Sequence, residues 1–392
     1  MSEIRVDSLG NETNTGGPEL SGITKFSGQK YFIPPKGTTE QRPSGCPPGS
    51  IRFNTDTLHL EYWSGSLWLE IEATNVELGH INTATDIFAE GDSGGLGTRA
   101  LFGGGYAPGD VNTIDYISVS TLGDAIDFGD LVVKRRPGGA VSSSTRSVFW
   151  GGRQVGLTPS NVIDFVTISS TGNAQDFGDN ATRLQFGVAV GNATRGVYGG
   201  GYEHSPASAV TNNLYYITIA TAGNSVDFGD VTSGHHHLGV GCASCVRGIM
   251  AAGLTPGSSP STLDTIDYLT ISTLGNTQDF GDLTQARFGF SGCSNAVRGL
   301  FGGGKVGPTK LNTIDFITIA STGNATDFGD RTISDFYNGA ACSPTRAIFA
   351  GDYQVVTMDA VEIMTTGNAF DFGDLTQGRL QNTGTSNGHG GL

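Results

Sequence analysis

The tetrapeptide Asp-Phe-Gly-Asp occurs six times in this chain, beginning at Asp127, Asp176, Asp227, Asp279, Asp327 and Asp371, with successive spacings of 49, 51, 52, 48 and 44 residues. A repeat of that period is one supersecondary unit copied along the chain, each copy completed by its neighbours. A second shared block lies upstream of each copy: Asn112-Thr-Ile-Asp-Tyr-Ile, Asn161-Val-Ile-Asp-Phe-Val, Asn212-Asn-Leu-Tyr-Tyr-Ile, Asp264-Thr-Ile-Asp-Tyr-Leu, Asn312-Thr-Ile-Asp-Phe-Ile and the divergent Met358-Asp-Ala-Val-Glu-Ile. These β-branched and aromatic runs read as strands. Upstream again, runs such as Arg99-Ala-Leu-Phe-Gly-Gly-Gly and Arg298-Gly-Leu-Phe-Gly-Gly-Gly mark the end of another strand.

A full repeat, Arg287 to Asp330, reads as four strands: Phe288 to Ser294, Arg298 to Phe301, Asn312 to Ala320 and Ala325 to Asp330. Turn residues separate them, including Thr322-Gly323-Asn324, where Gly and Asn supply backbone angles that other residues resist. Both faces of the third strand are largely apolar (Ile314 and Phe316, Ile317 and Ile319), as in sheets covered on both sides. With 61 Gly, 4 Met and a charged fraction of 15%, the chain suits a turn-rich all-β protein. Four strands repeated six times predict a six-bladed β-propeller over residues 98–392, preceded by a linker (73–97) and a small N-terminal β module (1–72). An open ring would leave two sheet edges free, so closure needs one more strand. Gly378 to Gly390 stops where a further second strand would begin and can return to the first blade; Thr85 to Asp92 is the competing strand.

Glycines ending the second strand, an aromatic in the fourth and an Arg opening the next unit resemble the kelch repeat over about residues 98–392. That resemblance puts Phe128, Phe177, Phe228, Phe280, Phe328 and Phe372 where kelch repeats usually carry Trp, and it implies that they pack between blades. Arg135, Arg287 and Arg379 fall five residues after the last Asp of their motifs, whereas His235 and Asp335 stand at that offset in others and Arg183 lies one residue early.

Residues 1–72 lie outside the repeat. Ser50-Ile-Arg-Phe-Asn-Thr-Asp through Leu-Glu-Tyr-Trp63 and Ser66-Leu-Trp-Leu-Glu-Ile71 predict a β-meander with Ser64-Gly65 as a two-residue hairpin loop. Leu58, Leu60 and Tyr62 alternate with polar residues, predicting one dry and one wet face. So small a sheet is marginal alone, which predicts packing on another chain or homo-oligomerisation. Gly-Thr-Thr-x-Gln-Arg-Pro followed by Gly-Ser-Ile-Arg-Phe-Asn-Thr-Asp and Leu-Glu-Tyr-Trp resembles segments of tail-fibre and other virion proteins of tailed bacteriophages, and the architecture is similar to virion proteins of phages infecting cyanobacteria. The resemblance implies a virion location, with residues 1–72 docking on other virion proteins.

The net charge of -15, with no Lys/Arg run, argues against nucleic acid as a partner. The start lacks an apolar stretch with a cleavage site and no run of apolar residues reaches membrane-spanning length, so neither export nor membrane insertion is expected. Cys46, Cys242, Cys245, Cys293 and Cys342 are odd in number, against a disulfide framework. Cys242-x-x-Cys245 near His235, His236 and His237 has zinc-ligand types, but no second such pair exists, and repetition explains Cys242, Cys293 and Cys342 as small apolar residues of a buried strand. Asp-Phe-Gly also occurs in protein kinases, whose His-Arg-Asp loop is missing here. Its aspartates are expected to cap turns, with calcium as the alternative role. Asp115, Asp164, Asp267, Asp315 and Asp359 recur in equivalent strands, so no carboxylate pair is singled out for glycoside chemistry. No catalytic, cofactor or metal residue is therefore assigned. The loops after the glycine runs change freely and are the expected binding surface, with Tyr106, Tyr202, His204 and Lys305 as candidates. The expected function is non-enzymatic: host attachment through a surface glycan or protein, with a capsid or tail decoration protein, or an intracellular kelch-like adaptor, as alternatives.

Overall fold

The computed structural model describes residues 34–56, 59–71, 99–154, 158–204, 209–232, 240–255 and 261–392. Leu58, His235 to His237, the expected linker 73–97 and the competing strand Thr85 to Asp92 lie outside them. Among the described residues the architecture is all-β, and its only helical element is the single 3-10 turn Thr39–Gln41. The chain divides into two compact parts, Met1–His80 and Ile81–Leu392.

In the N-terminal part, Lys36–Gly37, Ile51–Asn54, Leu60–Trp63 and Trp68–Ile71 form one sheet in that order. Two expectations are corrected here. The hairpin loop has four residues, because Trp63 pairs with Trp68 and the Ser64 N–H donates to the Leu67 carbonyl. The faces are also inverted: Glu61 is fully buried, while Ile51, Leu60, Tyr62 and Leu69 are 36–53% exposed. The cause is charge pairing. Arg42 (2.6 Å) and Arg52 (3.1 Å) both reach Glu61, and Asn54 donates to it, so residues 38–42 fold over the polar face. Burial raises the Glu61 carboxyl, but the hydrogen bonds from Arg42 and Asn54 and the two guanidinium charges outweigh it and hold the group below its usual range. The apolar residues of this sheet therefore share the outward face.

In the body, six antiparallel sheets share one four-stranded pattern, as in Gly339–Cys342, Arg346–Asp352, Val355–Glu362 and Phe370–Asp374, and one of them adds the short strand Lys305–Val306. The repeat used above as the example has strands Ser291–Ser294, Arg298–Gly302, Thr309–Thr318 and Thr326–Asp335. Its first strand is shorter than expected. Phe288 bridges to Lys305 instead, and Gly289 takes φ +67°, which turns the chain out of the strand. The first repeat, Arg99–Tyr106, Asp110–Ser118 and Ile126–Asp130, gains its fourth strand from Thr383–Ser386, paired antiparallel to Arg99–Tyr106. Each sheet stays separate and none closes on itself.

The repeated motif is a device for joining neighbours. In every repeat the register shifts by one residue at the Phe, as between Ile114↔Gly129 and Asp115↔Asp127, making that Phe the extra residue of a β-bulge. The bulge turns Phe128, Phe177, Phe228, Phe280, Phe328 and Phe372 inward, where each is at most 3% exposed. The following Gly281, at φ +146°, sits where a Cβ would lie 2.5 Å from the Gly323 carbonyl of the next repeat. Across that approach the Gly323 N–H donates to the Phe280 carbonyl, the Ala325 N–H to the Asp282 carbonyl, and the Asp282 N–H to Asn324 Oδ1. The same bonds recur at all six junctions, the last joining Phe372 and Asp374 to residues 123–125 with Asp124 in the Asn place. The capping side chain is therefore the Asn of the neighbouring turn, and the motif's last Asp contributes its backbone.

A second joint uses the Arg that opens the second strand. Arg99, Arg146, Arg195, Arg247, Arg298 and Arg346 donate to Ile168, Ile219, Ile271, Ile319, Ile363 and Val119 carbonyls of the next repeat. Five of these guanidinium groups also lie 4.4–4.7 Å from the ring of Tyr116, Phe165, Tyr216, Tyr268 or Phe316. Contacts thus run from each repeat to the next and from the sixth back to the first.

Candidate functional site

A third joint is buried. Arg135, Arg287 and Arg379, all fully buried, pair with Asp164, Asp315 and Asp115 of the following repeat at 2.7, 2.9 and 3.1 Å. Four of the five carboxylates that recur in the third strands, Asp115, Asp164, Asp315 and Asp359, have a guanidinium partner from the preceding repeat, so these groups act as inter-repeat pairs. Where the third strand carries Tyr215 instead of Asp, the Arg place holds the buried Leu184. The substitution removes both charges together, as the cost of an unpaired buried ion requires. Asp267, whose counterpart His235 is outside the described residues, accepts from Thr232 Oγ1 at 2.9 Å.

At Asp335 the Arg place holds a carboxylate, and Arg331, four residues earlier, supplies the guanidinium to both Asp335 and Asp359. Two buried carboxylates then share one cation. Burial, with added repulsion from Asp352 and Asp359, outweighs Arg331 and pushes Asp335 up to about 7. A folded-state pKa above the unfolded value near 3.8 means the native state gains a proton: this contribution is complete below about pH 4 and is lost as pH rises through about 7. Wild-type melting temperature should therefore fall relative to Asp335→Asn between about pH 5.5 and 8, opening a gap of a few degrees. Parallel melting profiles across that range would refute the assignment.

The candidate binding loops lie at one end of the sheets, where they pair with the connectors that follow the repeated motif. Arg135–Arg136, Arg153–Gln154 and Thr158–Pro159 form one small sheet there, and Leu184–Gln185, Tyr202–Glu203 and Ala209–Val210 another. Tyr106 bridges to Leu380, stacks on Tyr353 (5.9 Å) and is covered by the Arg136 guanidinium at 4.1 Å. Tyr202 is half-buried in its short strand, and His204 is exposed, its N–H donating to the Arg183 carbonyl. Lys305 lies 4.9 Å from the Phe336 ring, with Lys310 over the same ring at 5.1 Å. These four residues belong to three separate repeats and share a layer, but no one cluster brings them together.

Sequence reasoning missed the centre of that layer. A cavity of about 150 Å³ is lined by the first strands of all six repeats and by the connectors, including Arg136, Arg153, Gln185, Asn338, Gln381 and Asn382. A second cavity of about 70 Å³ lies among Ser142, Cys242, Cys293, Cys342 and His389. Residues 387–392 fill the space beside it: His389 Nε2 lies 2.9 Å from the Ser142 carbonyl and the Gly390 N–H donates to Ser294. Burial lowers the imidazole's proton affinity.

Cys242, Cys293 and Cys342 are buried, and none of the five cysteines is in a disulfide. Burial pushes the Cys242 thiol up, and the hydrogen bond with Cys342, with burial, does the same to Cys293. A thiol reagent should therefore modify Cys46 and Cys245 in native protein and all five after denaturation, read by mass spectrometry. Rapid native labelling of Cys293 would overturn this packing. Among the described residues no group of three or more His, Cys, Asp or Glu side chains is placed to hold a metal ion, and no helix is long and apolar enough to cross a membrane.

No known family model matches the chain, and no curated protein matches it.

Proposed function

We propose that the body is a six-bladed propeller, closed by Thr383–Ser386, and that the chain is a non-enzymatic virion protein that presents the loop-bearing end of this propeller to a host-surface glycan. The observation that carries the reading is a division of labour within the repeat. The bulge Phe, the close-approach Gly and the strand-opening Arg recur six times and join neighbours, while the loops that differ most in length and sequence follow the glycine runs, beside the connectors that line the central cavity. A rigid ring of joints with a variable rim is the plan of a recognition scaffold. The N-terminal sheet supports anchoring on another virion protein: Ile51, Tyr62 and Leu69 are cross-strand partners on one exposed face, next to Leu60.

The test uses antibody-labelled electron micrographs of phage particles together with binding of the fluorescent full-length protein to cyanobacterial cells. Label at the tail and saturable binding to cells that is lost after periodate treatment are expected. Particles without label, or cell binding indifferent to periodate, would refute the reading.

A further inference from the structure

The central cavity and the smaller one beyond it are successive parts of one passage, since Ala140, Ala189, Gly241, Gly292, Ala340 and Gly384 line both. Where the six first strands end, away from the loops, equivalent positions hold Ser142, Gly191, Ala243, Ser294, Cys342 and Ser386. Four of these side chains donate to the carbonyl of the equivalent residue in the repeat before. Ser142 reaches Ser386 at 2.6 Å, Ser294 reaches Ala243 at 2.7 Å, Cys342 reaches Ser294 at 3.0 Å, and Ser386 reaches Cys342. The ring of bonds is open at Gly191 and Ala243, whose side chains have nothing to donate.

Residues 387–392 are shaped to that opening. The Gly390 N–H donates to the Ser294 carbonyl, and the Ala193 N–H donates to the Gly391 carbonyl at 3.0 Å. Neither glycine has room for a side chain. A Cβ on Gly390 would lie 2.1 Å from the Asn295 carbonyl and 2.6 Å from that of Ala243, and one on Gly391 would lie 2.2 Å from the Gly191 carbonyl. Upstream, the Asn387 N–H donates to the Arg99 carbonyl and the Arg99 N–H to Asn387 Oδ1. The segment therefore touches the first, third and fifth repeats by backbone bonds and closes this end of the passage.

His389 is the one ionisable side chain of the segment, and both of its ring nitrogens are committed. The Gly391 N–H donates to Nδ1 at 3.0 Å, so Nδ1 carries no proton. Nε2 carries it instead and donates to the Ser142 carbonyl of the second repeat at 2.9 Å. Only the neutral imidazole satisfies both bonds. A second proton would sit on Nδ1 against the Gly391 N–H and would make a buried cation. The surroundings supply no counter-charge. The other titratable side chains lining this part of the passage are Cys242, Cys293 and Cys342, and no Asp, Glu, Lys or Arg lines it. Arg99, Arg146, Arg195 and Arg298, on the segments around the plugged end, are turned onto carbonyls of the next repeats. The remaining charge is the Leu392 carboxylate, and the Leu392 N–H donates to the His389 carbonyl.

We propose that residues 387–392 form an acid-released plug: neutral His389 holds it in the end of the passage, and uptake of one proton by the imidazole frees it. The buried ring takes the proton during a transient opening, and the proton then opposes redocking. Burial favours the neutral form in the docked state, so docking is complete above the free imidazole's value near 6.5 and is lost as pH falls below it. One such proton makes opening about tenfold more favourable at about pH 5.5 than at about pH 7.5. Release of the plug does not depend on what the loop-bearing end binds.

Amide hydrogen exchange on the full-length protein, corrected for the intrinsic effect of pH on exchange, reads the plug locally. A local readout is needed because Asp335 titrates in an overlapping range and acts on global melting. The Ala193, Gly390 and Gly391 amides should lose about tenfold in protection between about pH 7.5 and 5.5, while the junction amides of Gly323 and Ala325 keep theirs. In His389→Gln, whose neutral amide can still donate and accept, the same three amides should be equally protected at both pH values. Nitrogen-15 spectra of the imidazoles in the wild-type chain decide the matter if the glutamine does not dock, since cationic His389 should appear in step with the loss of protection. Plug amides unprotected at about pH 7.5, protection unchanged on acidification, the same loss in His389→Gln, or a cationic imidazole in a plug that stays protected would each overturn the proposal.

Discussion

Removal of residues 378–392 is expected to abolish cooperative folding of the body, a larger effect than any single substitution should produce. The deletion takes away Thr383–Ser386 and leaves the edge of Arg99–Tyr106 unpaired. Leu101 and Phe102, both fully buried, lose part of their cover. It also removes Arg379, stranding the buried Asp115, and the Ser386 carbonyl that accepts from Ser142. These losses together reach the whole stability of an ordinary domain, about 5–15 kcal/mol, so an aggregated or protease-sensitive product is expected. A shorter deletion, 388–392, keeps the strand and loses only contacts such as those of His389 and Gly390, and it should lower the melting temperature while leaving one transition. An unchanged melting temperature after the longer deletion would transfer closure to Thr85–Asp92.

The sequence makes the six repeats legible because the joints between them are made by the recurring residues themselves. Phe in the bulge and Gly at the close approach each have one physical task at each junction, so spacing alone locates them, whereas the capping role falls to the Asn, or Asp124, of the neighbouring turn and not to the motif's aspartates as expected. The final strand is legible only as one of two candidates, Gly378 to Gly390 or Thr85 to Asp92, and the pairing of Thr383–Ser386 with Arg99–Tyr106 is what places it. The N-terminal sheet is misread because alternation identifies two faces without saying which is buried. Arg42, from outside the alternating segment, decides it by pairing with Glu61. The central cavity is illegible for the opposite reason from the repeats. Asn338 and Asn382 occupy equivalent positions, but the same position holds Gly138, Gly187 and Phe290 elsewhere, so no pattern marks them. Only the convergence of the six first strands brings these connectors to one place.

The buried Arg–Asp joint gives the second large expected effect, and the chain itself contains the control. Asp315→Ala should cost about 3–5 kcal/mol, because it leaves the Arg287 guanidinium inside the protein with no counter-charge. Burial already pulls Arg287 below its usual range, with Asp315 acting against that pull through charge and hydrogen bond. Phe301's carbonyl, 3.1 Å from Arg287 Nη2, cannot replace a carboxylate. The third repeat meets the same position with Leu184 facing the place of the Arg and Tyr215 that of the Asp. Transplanting that solution as Arg287→Leu with Asp315→Tyr removes both charges at once, and although the larger Tyr must be accommodated it should cost clearly less than Asp315→Ala because no buried ion is left unpaired. Denaturant unfolding of both variants, checked for equal slopes, measures the difference. The single variant must be clearly the worse of the two. If the double replacement is as damaging as Asp315→Ala, what matters at this joint is the shape of the pair, and the charge account of the junctions is wrong.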